Sequence, residues 1–348
     1  MGSTPDANPK SSGEPFLRLG SVASGRRLGW LGGGLSVVAV LLWLTDVSGV
    51  GLPRPLSRAI VLVWLLSLAA LLVRWLQRSW YRDGARWQGL LLPGLLLVSL
   101  VVRLVGLGWE AGAGYYRDEG IYRAAAVLIN EGELLPESFI YGHLLYYLAA
   151  FALWLQSLFP ELVAGIGRTV FRAGSDEQVI SIVLRSVSAT LGALTTLPVF
   201  LIARRLAGTL AAITAALLII FSMLYNEVTH LLISDVPSAF FATLCLLFVA
   251  RLIDREKRSD YLWAGICAGL AAASKYPAGV VAIGIVAAWL RWRISERRWS
   301  WDLLWAGLVS IATVLAVMPA FLAYWGDAFS NEGRDIFFGF RQYGRGGW

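Results

Sequence analysis

The sequence predicts an all-α, polytopic membrane protein with about nine transmembrane helices, and three observations support this prediction. Hydrophobic residues make up 57% of the 348 positions, and the mean hydropathy is +0.64. Charged residues make up 15%, whereas soluble proteins carry about 25%. Apolar runs of membrane-spanning length recur, and a chain inside a bilayer must satisfy its backbone by forming helices. The net charge of +7 therefore indicates cytoplasmic loops rich in Lys and Arg, and not nucleic-acid binding.

The apolar runs divide the chain into a hairpin, a core and two ends. The nine candidate spans are Trp30–Val50, Leu56–Leu76, Gln88–Gly108, Leu184–Ala203, Thr209–Leu224, Val236–Ile253, Tyr261–Ala273, Ala278–Leu290 and Leu303–Tyr324. We expect a disordered cytoplasmic tail over 1–29 and an additional N-terminal hairpin over 30–87. The core would occupy 88–324. Residues 325–348 would form an external tail whose Gly-rich end indicates truncation.

One apolar segment, Leu144–Phe159, decides the topology. Its unbroken apolar run covers only residues 144–155, which is short of the roughly 20 residues that a span needs. If the segment lies along the membrane, the arginines of four regions share the cytoplasmic face with Arg26 and Arg27, as the positive-inside rule favours. These regions are 74–86, 204–205, 251–258 and 291–298. Residues 110–183 then form a long external loop that carries juxtamembrane helices, with nine acidic and four basic residues. Long loops of this kind are usually functional.

A polar stretch, Tyr115–Gly120, follows directly on an apolar run that ends at Trp109. It contains two adjacent carboxylates, Asp118 and Glu119. Ionisable groups close to the hydrocarbon are costly and often mark a functional site. Either carboxylate would also serve as the cap of a helix that begins near Ile121. Both interpretations remain open at this point.

A second polar segment contains His230 and Asp235, and the sequence predicts a short external turn over Asn226–Asp235. Ser234 or Asp235 followed by Pro237 is typical of a helix start. That structural interpretation leaves His230 unexplained, and an imidazole beside a carboxylate can hold a divalent cation or share a proton. A divalent cation at His230 and Asp235 is therefore a hypothesis, and no other cofactor is expected.

Two further polar residues lie at the same predicted external face. Lys275 interrupts two apolar runs, either as a turn lysine that reaches the headgroups or as a point charge for a phosphate. His143 begins the segment along the membrane, either within an interfacial aromatic girdle or as a substrate contact.

Four motifs in this order resemble the GT-C glycosyltransferases. The nearest branch is the protein O-mannosyltransferase and aminoarabinose-transferase group, glycosyltransferase family 39. The motifs are Tyr116–Tyr122, Tyr141–Leu148, His230–Pro237 and Gly269–Tyr276. The resemblance covers roughly residues 90–348.

The resemblance implies a membrane enzyme that moves a sugar from a polyprenyl- or dolichyl-phosphate carrier to a lipid, glycan or protein acceptor outside the cytoplasm. Asp118 matches the base that deprotonates the acceptor hydroxyl, with Glu119 beside it, and Asp235 matches a second acidic position. Lys275 matches the cation that holds the carrier phosphate. The other expected substrate contacts are His143, Tyr141, Tyr276 and Arg123. The expected location is the plasma membrane of a prokaryote, with the active site on the external face.

Three alternatives belong to other functional classes. A transporter would place charges within its spans or pair interrupted helices, whereas the charges here cluster at span ends. A membrane scaffold fits everything except the coincidence of the motifs, and a truncated inactive relative fits the Gly-rich end. Neither the sugar, hexosyl or pentosyl, nor the acceptor follows from the sequence.

Overall fold

The structure, a computed structural model, describes residues 36–49, 51–67, 86–111, 117–136, 139–296 and 299–324. Within these ranges every regular element is a helix, which confirms the all-α prediction. Some predictions fall outside the described residues. They concern the tail over 1–29, residues 30–35 and 50 of the first span, residues 68–76 of the second span, Tyr115 and Tyr116, and the tail over 325–348.

Thirteen helices and one 3-10 turn follow in order through the described residues. They are α1 Ser36–Val47, α2 54–67, α3 Arg86–Leu104, α4 Arg117–Asn130, α5 Leu144–Leu158, α6 Pro160–Thr169, α7 Asp176–Ile220, α8 Met223–Thr229, α9 Asp235–Asp254, α10 Arg258–Ser274, the 3-10 turn Tyr276–Val281, α11 Ala282–Glu296, α12 Asp302–Val317 and α13 Ala320–Ala323.

At least three elements are long and apolar enough to cross a membrane. They are α7, α9 and the continuous segment Tyr276–Glu296 formed by the 3-10 turn and α11. The pair α5 and α6, bent by 102° at Phe159, passes the same test only as a broken span or a re-entrant loop. Pro160 begins α6, and a proline disfavours the helical conformation in the residue before it, which accounts for the break. The chain is therefore an integral membrane protein.

The 45-residue α7 contains two of the predicted spans. Gly208 adopts φ +83° inside it, a left-handed conformation that glycine tolerates without a steric penalty. Arg103 contacts the carbonyl of Ile219 at 3.2 Å, while Ser99, one turn earlier on α3, is 2.8 Å from the hydroxyl of Thr196. Residues 196 and 219 therefore lie at one level, and the chain folds back at Gly208.

Two sequence predictions are wrong at the ends of elements. The predicted turn at 226–235 begins inside α8, because the Ser222 side chain accepts a hydrogen bond from the Tyr225 N–H and caps a new helix. The helix predicted to start at Ile121 begins at Arg117 instead, with Asp118 and Glu119 in its first turn.

Small residues let α10 approach α12 closely. A Cβ on Gly265 would lie 2.3 Å from the carbonyl oxygen of Ala306, and one on Gly269 would lie 2.6 Å from that of Ser310. Close backbone approach through small residues is typical of helix packing in membranes. This contact and the packing of α10 on α9 fix the direction of α10, which ends at Ser274, directly before Lys275.

Arginines collect at the end of the bundle opposite Lys275. Their ion pairs are Arg205–Asp254, Arg251–Asp260 and Arg293–Glu256. The 20-residue α9 separates them from Asp235 by about 30 Å, at 1.5 Å per residue. Arginines from three of the predicted cytoplasmic regions thus meet at one end, which agrees with the charge pattern of the sequence.

Candidate active site

Asp118 lies in the first turn of α4, half-buried, with its carboxylate Oδ2 accepting a 2.8 Å hydrogen bond from the Tyr141 hydroxyl. The partial positive charge of a helix N-terminus favours a carboxylate at this position. The Tyr141 hydroxyl fixes one carboxylate oxygen. This arrangement suits an oriented base that remains partly open to solvent.

Tyr122, one turn further along α4, packs under this contact. Its ring lies 5.4 Å from that of Tyr141 and 5.3 Å from that of Tyr146. Burial raises the pKa of the Tyr122 phenol well above its ordinary value. The phenol therefore stays neutral and places no negative charge beside Asp118.

Glu119 has a different environment from its neighbour Asp118. Arg185 of α7 donates to both of its oxygens, at 2.8 and 2.9 Å, and the backbone N–H of Leu232 donates to Oε1 at 3.0 Å. The Glu119 side chain is 18% exposed and that of Arg185 is 6% exposed. Two adjacent carboxylates thus differ in bonding, since one faces a single hydroxyl and the other three N–H donors.

Asp235 and Lys275 form an ion pair of 2.6 Å at the start of α9 and the end of α10. Their side chains are 50% and 37% exposed, so the pair contributes about 1 kcal/mol or less to stability. The Ser234 side chain makes no capping hydrogen bond at this helix start. An exposed carboxylate and ammonium at the ends of two spans are therefore open to a ligand.

The loop that carries Tyr141 rests on the end of α10, and this contact joins the two halves of the site. The Tyr276 hydroxyl lies 2.9 Å from the Phe139 carbonyl and 3.2 Å from that of Tyr141. A Cβ on Gly142 would lie 2.0 Å from the carbonyl oxygen of Ala273. Asp118 is therefore connected through Tyr141 to Tyr276, which is the residue next to Lys275.

His143 lies at the start of α5 and is completely buried. Its ring stacks 5.4 Å from that of Tyr146 and lies 5.2 Å from that of Phe139. The imidazole therefore belongs to the aromatic cluster beneath Tyr141, and in this conformation it does not reach solvent.

Arg123 has contacts separate from those of Asp118. It pairs with Glu177 of α7 at 2.9 Å and lines a cleft of about 570 Å³ between the N-terminal hairpin, α4 and the bend between α5 and α6. The hairpin is held there by hydrogen bonds from Trp43 to Asn130 and from Trp154 to Asp46. The carboxylates and the lysine of the candidate site do not line this cleft.

His230 and Asp235, the residues considered for a cation, have separate partners. The His230 Nε2 is 3.0 Å from the Val105 carbonyl, and because a carbonyl oxygen can only accept, Nε2 donates this hydrogen bond. A carbonyl on one ring nitrogen is the arrangement that orients metal-binding imidazoles. Among the residues that the structure describes, however, no group of three or more His, Cys, Asp or Glu side chains forms a metal site.

Arg185 is the residue of this region that sequence reasoning missed. Its signal is a single arginine beside the first residue of the apolar run that starts at Leu184. A charge at that position calls for a partner, but nothing in the sequence identifies Glu119, 66 residues earlier, as that partner.

The comparisons with known proteins add one match. The family model described as dolichyl-phosphate-mannose-protein mannosyltransferase matches residues 151–325. No curated protein and no solved structure matches the chain. The matched residues include Arg185, Asp235 and Lys275, and they begin after Asp118 and Tyr141. The match confirms the resemblance predicted from the four motifs.

Proposed function

The chain belongs to the dolichyl-phosphate-mannose-protein mannosyltransferase family, and from that premise we propose where this membrane glycosyltransferase performs its chemistry. The proposed site is the cluster of Asp118, Asp235 and Lys275. One observation carries the proposal: the loop of Tyr141 holds Asp118 on one side and contacts Tyr276, next to Lys275, on the other. A base and an anion-binding cation at one end of the bundle are what transfer from a phosphate carrier needs.

In the proposed reaction, the Asp118 carboxylate accepts the proton of an acceptor hydroxyl while the acceptor oxygen attacks the anomeric carbon of the sugar. The bond between that carbon and the phosphate oxygen breaks with inversion, and the polyprenyl phosphate leaves with the electron pair. The Lys275 ammonium stabilises the negative charge that develops on the leaving phosphate. The step is balanced because the acceptor proton ends on Asp118 and the electron pair of the broken bond ends on the phosphate oxygen.

Asp235 would hold Lys275 in place before the carrier arrives. Its carboxylate lies 2.6 Å from the Lys275 Nζ, so a carrier phosphate competes with it for the ammonium. A divalent cation shared by Asp235, His230 and the phosphate remains a hypothesis, supported by the orientation of the His230 ring. Any such cation would add a positive charge at the leaving group.

We propose that this end of the bundle faces the outside of a prokaryotic plasma membrane. The ion pairs of Arg205, Arg251 and Arg293 at the opposite end support that orientation. We also retain the nine-span count and the external position of residues 110–183 as parts of the proposal. The length and apolar character of α7 and α9 support them in part.

Transfer by the wild-type protein tests the activity. The purified chain in liposomes receives a polyprenyl-phosphate-linked radiolabelled sugar and a panel of lipid, glycan and peptide acceptors. We expect radiolabel to leave the carrier and appear in one acceptor class. If the radiolabelled sugar stayed on the carrier with every acceptor and every sugar tested, the result would contradict the enzyme proposal and favour a scaffold.

Cysteine labelling tests the orientation. After Cys245 and Cys267 are replaced, Asp235→Cys should react with an impermeant reagent from outside the cell. Arg255→Cys, at the other end of α9, should react only after the membrane is opened. Labelling of Asp235→Cys from the cytoplasm alone would overturn both the topology and the proposed external site.

A further inference from the structure

Arg185 joins three separate segments of the chain at one buried point. Its guanidinium donates to both oxygens of Glu119 and, through Nη1, to the carbonyl of Trp109 at 2.8 Å. A bidentate contact between an arginine and a carboxylate fixes orientation as well as distance. The turn that follows α3, the start of α4 and the first half of α7 are therefore locked together beside the proposed site.

Glu119 extends this lock to the segment that precedes α9. Its Oε1 accepts a 3.0 Å hydrogen bond from the backbone N–H of Leu232, and Leu232 lies three residues before Asp235. Leu232 is 1% exposed, so its N–H depends on Glu119 for an acceptor. The carboxylate beside the proposed base therefore holds the backbone that leads to the second acidic residue.

Packing alone does not require this arrangement. Apolar residues of similar volume usually replace a buried ion pair without loss of stability, whereas removal of one partner leaves a costly unpaired charge. A bidentate pair that also binds two backbone groups does something that apolar residues cannot, since it permits only one relative placement of its segments.

We propose that Arg185 and Glu119 are a positioning pair that sets the distance between Asp118 and the Asp235 segment, and that Glu119 is not itself a base. Both oxygens of the Glu119 carboxylate already accept hydrogen bonds from N–H donors. Asp118 is therefore the carboxylate suited to accept a proton. The catalytic consequence rests on the proposed function, whereas the geometric part can be tested without transfer activity.

Hydrogen exchange tests the geometry on the full chain in detergent. We expect Glu119→Ala and Arg185→Met to speed amide exchange in the peptide over 229–236. In Glu119→Ala the Leu232 N–H loses its acceptor, and in Arg185→Met the Glu119 carboxylate loses the contact that orients it. Arg168→Met is the matched control, since Arg168 forms an exposed 2.6 Å pair with Asp176, and exchange over 229–236 should not change. Unchanged exchange in both Glu119→Ala and Arg185→Met would overturn the proposal.

Kinetics separates a positioning role from a catalytic one. Glu119→Gln keeps an oxygen for the Leu232 N–H, so it should keep kcat within about tenfold of wild type, whereas misplacement in Glu119→Ala should cost about 100-fold. The KM for the carrier should stay within about twofold in both, since neither change touches the phosphate. Because Glu119→Gln keeps the size of the native side chain and one acceptor oxygen, it keeps the test decisive if Arg185→Met does not fold.

Three results would count against the positioning role. If Glu119→Gln lost as much activity as Asp118→Asn, Glu119 would be a base. If Glu119→Gln raised the KM for the carrier without lowering kcat, Glu119 would be a carrier contact. Equal losses in Glu119→Gln and Glu119→Ala would remove the conservative rescue that positioning predicts. A wild-type protein without transfer activity would instead refute the proposed function, and the exchange result would still decide whether the pair sets the geometry.

Discussion

Gly142→Ala should separate the two halves of the site. The new Cβ would lie 2.0 Å from the carbonyl oxygen of Ala273 and 2.9 Å from the backbone nitrogen of Ser274. Ordinary van der Waals contact begins at 3.4 Å, so the loop and the end of α10 must separate by about 1.4 Å. Both obstacles are backbone atoms, so a rotamer change cannot relieve the clash.

A movement of that size breaks the contacts that hold the site. The Tyr276 hydroxyl is 3.2 Å from the Tyr141 carbonyl, and a further 1.4 Å takes it beyond hydrogen-bond distance. We expect overpacking to lower the free energy of unfolding by about 1–3 kcal/mol. We expect the misplacement of Asp118 to lower kcat by about 100-fold.

Two assays check this expectation: thermal unfolding in detergent and sugar transfer from the polyprenyl-phosphate carrier. Gly165→Ala is the matched control. Gly165 lies inside α6, and a Cβ there meets nothing within 4 Å, so alanine should be neutral or should stabilise the helix by up to about 1 kcal/mol. A Gly142→Ala protein with the stability and activity of wild type would refute the close approach of the loop to α10.

Three further changes follow from the same geometry. Lys275→Ala should raise the KM for the carrier and lower kcat together, because a charged hydrogen bond contributes about 1.5–3 kcal/mol; an effect on neither would exclude a phosphate contact. Tyr141→Phe removes the 2.8 Å hydrogen bond to Asp118 and should lower kcat by about tenfold at unchanged Tm, so full activity would show that this bond has no part in transfer. Gly192→Ala places a Cβ 2.4 Å from a threonine methyl of α8 and should lower stability in a melting assay by about 1–3 kcal/mol. Gly307→Ala, with open space around its Cβ, should not, and equal melting of the two variants would contradict the packing of α8.

The helical class and the ends of several helices follow from the sequence because hydrophobicity decides them locally. The spans predicted to begin at Val236 and Tyr261 correspond to α9 and α10 within a few residues. Charge patterning also placed Asp235 and Lys275 at the same end of the bundle, and the two side chains are in contact. Local turn chemistry was harder to predict, and the Ser222 cap that starts α8 was not recognised.

The connections between the site segments do not follow from local patterns. The bond between Glu119 and Arg185 and the approach of Gly142 to Ala273 join residues far apart in the chain. Each depends on how α4, α7 and α10 pack, which one sequence does not encode in any short window. Sequence reasoning therefore identified Asp118 and Glu119 as a pair of candidates, and only the structure separates their environments.

The most direct test of the proposed site is the rate of sugar transfer by Asp118→Asn, measured with the carrier already bound. We expect kcat to fall by about 10²–10⁴, the usual contribution of a general base, while the Kd for the carrier stays within about twofold. Asp176→Asn is the matched control, because Asp176 is an exposed carboxylate that pairs with Arg168, and it should transfer at the wild-type rate. An Asp118→Asn protein that transferred sugar at the wild-type rate would contradict the central claim that Asp118 is the base.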